Sequence, residues 1–140
     1  WKEIELEPYR ELIKNGYKDF VMTAHIFNSN LDPEYPATLS NKIMTGILRN
    51  QLDFQGVIIS DDMNMGAIAD NYGLETAVRK YIEAGVDIIL FANNLTYDEK
   101  IAEKVIAIIK KLIDQRVINV RRIDESYNRI MSMKKRMNIL

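Results

Sequence analysis

Gly56-Val57-Ile58-Ile59-Ser60-Asp61-Asp62-Met63-Asn64-Met65-Gly66-Ala67 is an apolar, β-branched run that stops abruptly at a serine and two acids. It predicts a buried strand over Gly56–Ser60. Such a strand delivers a carboxylate to the rim of a parallel sheet, where α/β proteins place their chemistry. Working outward, Val86–Ala92 (VDIILFA) is an unbroken apolar run, which predicts a strand buried on both faces. Asp19–Ala24 (DFVMTA) predicts a third strand. Helical spacing and caps fill the intervals. Glu7–Asn15 has Glu7 as cap, Pro8 in the first turn and Gly16 at the exit. Ser40 caps a helix through about Gln51 that carries Ile43, Met44, Ile47 and Leu48 on one face. Thr76–Ala84 is closed by Gly85, a long helix covers roughly Tyr97–Gln115, and Asp124–Met137 follows, capped by Asp124 or an earlier residue. His25–Pro36 is a loop, marked by Asn28, Asn30, Pro33 and Pro36. Strands alternating with helices predict an α/β fold.

Composition bounds the rest. The 140 residues suffice for one compact domain, and 47% hydrophobic with 28% charged residues is globular. A formal net charge of −1 gives no reason to expect nucleic acid or an anionic membrane as partner. The absence of cysteine excludes disulfides and thiolate metal sites and leaves a cytosolic setting permitted. No stretch is long and apolar enough to span a bilayer, and no signal peptide is visible. Three strands are few for a stable parallel sheet, and a bare hydrophobic edge invites association. Two expectations compete: a complete small three-layer domain, or the tail of a larger barrel whose earlier strands are absent. The first residue is Trp rather than Met, which favours the second.

Several residues carry chemistry or packing. Asp61 sits one position past a buried strand, where it serves either as a reactive carboxylate or, with Asp62, as a cap for the following turn. His25, the only histidine, lies past a strand end as an acid/base, a ligand or a polar rim residue. No HExxH-type spacing accompanies it, so no metal site is expected. Met63 and Met65 flank the acids and fill gaps or form an apolar wall. Asn93 and Asn94 end the Val86–Ala92 strand and contact a ligand or turn the chain. Asp87, inside an apolar strand, must be paired. Lys110-Lys111, Arg121-Arg122 and Lys134-Lys135-Arg136 read as solvated helix faces. A metal-binding reading, with Asp61 and Asp62 on a divalent cation, stands as an alternative.

Four blocks in order resemble family 3 glycoside hydrolases, most closely the bacterial β-N-acetylhexosaminidase branch: Val21–His25, Pro36–Ser40, Leu52–Ile68 and Ala84–Leu90. The Ile123-Asp124-Glu125-Ser126 helix resembles the end of that catalytic domain. The resemblance implies a (β/α)8 TIM barrel, of which residues 1–140 are the C-terminal part, about strands six to eight with their helices. It implies a retaining, exo-acting β-N-acetylglucosaminidase with Asp61 as the nucleophile that forms a covalent glycosyl-enzyme. His25 and Met65 then lie beside the substrate, His25 in a supporting role. The family's acid/base histidine belongs to a Lys-His-Phe-Pro-Gly-His-Gly loop that this sequence lacks, so the acid/base comes from an N-terminal part. The chain alone is expected to be inactive. No cofactor or metal is implied. The implied partner is a small N-acetylhexosaminide, as in peptidoglycan turnover, together with self-association or pairing with the missing half. A β-glucosidase, a phosphorolytic variant and an inactive half-barrel that only associates are the alternatives.

Overall fold

The computed structural model describes residues 1–94 and 96–139. At its centre is a three-stranded parallel sheet in the order β1-β2-β3, with β1 Phe20–Met22, β2 Val57–Asp62 and β3 Ile88–Leu90. Phe20, Val21 and Met22 pair with Val57, Ile58 and Ile59, and Ile59 pairs with Ile88. The register shifts before Asp62 meets Leu90. A 3-10 turn, Glu3–Leu6, leads into α1, Glu7–Lys14. Between β1 and β2 lie a 3-10 turn, Ala37–Leu39, and a π-helix, Lys42–Gln51. α2, Gly66–Ala69, and α3, Leu74–Ala84, connect β2 to β3, and α4, Ile101–Asp114, and α5, Val120–Arg136, follow. The expected alternation of strand and helix holds.

Side-chain alternation sorts β2 into two faces. Ile58, Ser60 and Asp62 share one of them. Ile58 is fully buried in a core that takes Met44 and Leu48 from the π-helix, Val78 and Ile82 from α3, and Val105 and Leu112 from α4. Burying a side chain of that size is worth about 1.5–3 kcal/mol. Val57, Ile59 and Asp61 share the opposite face. There the β1 side chains Phe20 and Met22 are 46% and 52% exposed. The sheet thus has one face covered by helices and one that is open toward the C-terminal ends of its strands.

The structure corrects several boundaries. β2 runs to Asp62 rather than Ser60, because both acids continue the extended backbone. β3 is half-buried rather than buried on both faces: its only strand neighbour among the described residues is β2. Glu7 is not a cap, since the 3-10 turn passes straight into α1 with Leu6 at the N-cap. Ser40 does cap, its hydroxyl accepting the Ile43 N–H at 3.2 Å and donating to Asp32 Oδ2 at 2.6 Å. The helix after it is wound as a π-helix, which apolar spacing over so short a span does not distinguish from an α-helix. α3 starts at Leu74 and ends where Gly85 takes φ 101°. α4 starts at Ile101 rather than Tyr97, because Asp98 bonds the Lys100 N–H and holds the preceding turn. α5 starts at Val120, capped by the Asn119 side chain on the Arg121 N–H.

α5 closes the N-terminal ends of the strands. The expectation that Asp87 is paired is met several times over. Its fully buried carboxylate contacts Arg49 Nη2 at 2.6 Å and Arg129 Nη1 at 3.1 Å. It also accepts the Ser126 hydroxyl at 2.7 Å and the Ile58 N–H at 2.9 Å. Arg122 reaches the same carboxylate at 3.5 Å and donates to the Val86 and Ile82 carbonyls. Arg122 is therefore not on a solvated face, as its neighbour Arg121 is; it clamps α5 to the sheet. Burial pulls the Arg49 guanidinium down to about 10, against the attraction of Asp87 and with repulsion from Arg129 and Arg122 adding to the fall. Arg136 likewise bonds the Lys18 carbonyl at 2.6 Å, so the last basic run is only partly solvated.

Candidate active site

Parallel pairing brings the C-terminal ends of the strands to one edge. From the segment after β1 come Thr23 and His25, from β2 Asp61 and Asp62, and from the segment after β3 Ala92 and Asn93. The two acids differ sharply there. Asp62 is 7% exposed, and its Oδ1 accepts the Asn64 N–H at 3.0 Å and the Ala92 N–H at 3.1 Å. It is a capping carboxylate that ties β2 to the end of β3. Ser60, fully buried on the same face, accepts the Leu90 N–H at 2.9 Å. Asp61 points the other way, onto the open face, and is half-buried. Its Oδ1 accepts the N–H of its own neighbour Asp62 at 2.8 Å. Among the described residues its other carboxylate oxygen has no protein hydrogen bond. A carboxylate held by one backbone donor, with an oxygen to spare, is able to attack an electrophile approaching the open face.

His25 is joined to the backbone of Asp62. Its Nε2 lies 2.9 Å from the Asp62 carbonyl and its Nδ1 2.9 Å from the Thr38 hydroxyl. Thr38 in turn lies 2.7 Å from the Thr23 hydroxyl. Both ring nitrogens of His25 are thus spent inside the protein. Met65 donates its N–H to the Asp62 carbonyl at 3.0 Å and begins α2, with 38% of its surface exposed at the rim. Met63 is 4% exposed and belongs to the core, so the two methionines separate cleanly. Asn93 turns the chain: at φ 58° its amide bonds both the N–H and the carbonyl of Asp98. Asn94 is exposed.

Sequence reasoning passed over Asp32. Buried in the loop after β1, it accepts the Glu34 N–H at 2.9 Å as well as the Ser40 hydroxyl, with Lys42 at 3.7 Å. Burial pushes this carboxyl up. The Ser40 hydrogen bond, the Glu34 N–H, the Lys42 charge and the Tyr35 N–H together outweigh it and hold it below the usual carboxylate range. Asp-Pro before an ordered turn, with Ser eight positions on, was the available signal. Thr23 and Thr38 were visible only as parts of longer blocks.

An apolar cavity of about 530 Å³ lies beside β1, between Trp1, Leu6 and Tyr9 on one side and Ile43, Ile47 and Leu52 on the other. Neither it nor the two more polar cavities are lined by Asp61, His25 or Met65. The chemistry-bearing residues stand on an open sheet face, where three strands enclose nothing. The cavity beside β1 offers one carboxylate, Glu5, and no built polar site. Among the described residues, no group of three or more His, Cys, Asp or Glu is placed to hold a metal ion, and no helix is long and apolar enough to cross a membrane.

The sequence and the fold have counterparts among known proteins. The model of the glycosyl hydrolase family 3 N-terminal domain matches residues 1–133. A β-hexosaminidase A of Pseudoalteromonas piscicida is 32% identical over 143 residues, covering 93% of this chain and 24% of its own. The structure of a family 3 β-N-acetylglucosaminidase from Paenibacillus sp. str. FPU-7 superimposes with a TM-score of 0.84 at 34% identity, covering 94% of this chain and 24% of that one. The β-N-acetylglucosaminidase from Thermotoga maritima gives 0.81 at 31% identity, covering 90% and 27%. The chain spans about a quarter of the length of these three proteins. With the family model running almost end to end, the chain belongs to glycosyl hydrolase family 3, in the N-terminal, TIM-barrel-type domain of that family.

Proposed function

We propose that the full-length polypeptide carrying this sequence is a retaining, exo-acting β-N-acetylhexosaminidase and that Asp61 is its nucleophile. One observation carries the reading: Asp61, half-buried, alone of the adjacent acids faces the open side of the sheet with only one backbone donor on it, while Asp62, 7% exposed, takes two backbone donors on its Oδ1. In the first step an Asp61 oxygen bonds the anomeric carbon, the bond to the leaving oxygen breaks, and an acid from outside this chain protonates that oxygen. In the second, the same group takes a proton from water, whose oxygen replaces Asp61 on the anomeric carbon with net retention. His25 holds the carbonyl of Asp62, the residue whose N–H bonds the Asp61 carboxylate. Met65 supplies an apolar wall at the rim.

On this reading residues 1–140 are the C-terminal part of one barrel domain, strands six to eight, and the remaining strands bring the acid/base. β1 supports it, with an exposed apolar face and a free edge for a further strand. The test uses an aryl β-N-acetylglucosaminide. Asp61→Asn in the full-length enzyme is expected to lower kcat by about 10⁴-fold, and Asp62→Asn by much less. The reverse ranking would move the nucleophile to Asp62. A matched aryl β-glucoside decides sugar preference: faster turnover of the glucoside would make the enzyme a β-glucosidase.

A further inference from the structure

Thr23, Thr38 and His25 form a chain of hydrogen bonds that ends on the Asp62 carbonyl. The carbonyl oxygen only accepts, so His25 Nε2 carries a proton. In a neutral ring Nδ1 is then a lone pair, and the Thr38 hydroxyl donates to it. That commits the single Thr38 proton, so Thr38 oxygen accepts from Thr23. Every proton position follows from the one carbonyl at the end. Both threonines are buried, Thr38 completely and Thr23 to 6% exposure, so water is a poor substitute for either.

From this geometry we infer that Thr38, backed by Thr23, is a positioning residue: it fixes the tautomer of His25, which holds the carbonyl of Asp62, the residue whose N–H orients Asp61. Without the Thr38 hydroxyl, Nδ1 has no donor opposite it, and the ring is free to place its proton on Nδ1 and leave the Asp62 carbonyl. The link to turnover rests on Asp61 being the nucleophile; the proton order does not.

The experiment is long-range ¹⁵N–¹H NMR on the full-length protein, ¹⁵N-labelled at histidine, at about pH 8, where an ordinary imidazole is neutral. The His25→Gln spectrum identifies the His25 resonances by their loss. The inference predicts a single Nε2–H tautomer in the wild type, a mixture of tautomers in Thr38→Val, and recovery in Thr38→Ser. With the aryl glycoside, Thr38→Val is expected to lower kcat about tenfold at unchanged KM, and Thr38→Ser to restore it. An Nδ1–H tautomer in the wild type, or an unaltered tautomer in both Thr38→Val and Thr23→Val, would overturn the inference, and the hydrolase reading would survive. Full activity in Asp61→Asn would do the opposite, removing the hydrolase reading while the proton order stood.

Discussion

Asp61 and Asp62 share a residue type and a peptide bond, and the pleat of one strand gives them opposite surroundings. The spacing of the sequence set the pair at a strand end but left both a reactive and a capping role open for Asp61. The structure distributes the donors: the N–H of Asn64, two positions on, and that of Ala92, past the end of β3, converge on Asp62. Donors contributed by a segment some thirty positions downstream are not written in the local pattern. Asp32 carries a pH prediction at this scale. Its folded-state carboxyl is held below the usual range, mainly by Ser40 against the cost of burial. A depressed carboxyl contributes stability that is fully present above the ordinary Asp range and is lost as pH falls through the lowered value. Thermal unfolding followed from neutral pH downward is expected to show an acid limb that shrinks in Asp32→Asn, whose overall stability is lower at neutral pH. An acid limb of unchanged size in that variant would show that Asp32 is not its source.

At the scale of elements, the sheet is pinned at its two ends by different chemistry. The C-terminal ends are tied by hydrogen bonds between side chains and backbone groups through Ser60, Asp62 and His25. The N-terminal ends are tied by one buried carboxylate among three arginines from the π-helix and α5. Asp87→Asn is expected to destabilise the fold by about 3–5 kcal/mol, because it strands buried guanidinium charge. Asp87→Asn and Arg129→Gln together are expected to cost less than the sum of the two, since they share the cluster; chemical denaturation measures both. Additive losses would mean that Arg129 is merely near. The need for a partner to Asp87 was legible from one acid in an apolar run. Its partners were not, because Arg49, Arg122 and Arg129 are brought to it by tertiary packing from elements whose own sequences read as ordinary amphipathic helices. The three strands and the longer helices were legible, from β-branched runs and from stops such as Gly85, whereas the short α2 and the two 3-10 turns were not. The boundaries moved wherever side chains such as Asn119 and Asp98 captured a backbone N–H.

For the whole molecule, the exposed Phe20 and Met22 beside a free β1 edge leave apolar surface that three strands cannot close. The 140-residue chain by itself is expected to associate in solution and to release no aryl aglycone. Light scattering on a sizing column checks the first and the aryl glycoside assay the second. A stable monomer would argue against edge pairing, and efficient turnover would show a complete site within these residues. The architecture was legible because alternating strands and helices admit few arrangements, and the four blocks of resemblance narrowed them to one family. The open site was less so, since what surrounds Asp61 on its free face does not come from these strands. The central claim, that Asp61 bonds the anomeric carbon, is tested most directly by trapping. A fluorinated N-acetylglucosaminide with an activated leaving group, one that slows release of the glycosyl-enzyme, is incubated with the full-length protein, and the digested protein is mapped by mass spectrometry. The predicted result is a single sugar ester on the peptide containing residues 57–65, at Asp61 and absent in Asp61→Asn; an ester on Asp62 or on any other carboxylate would contradict it.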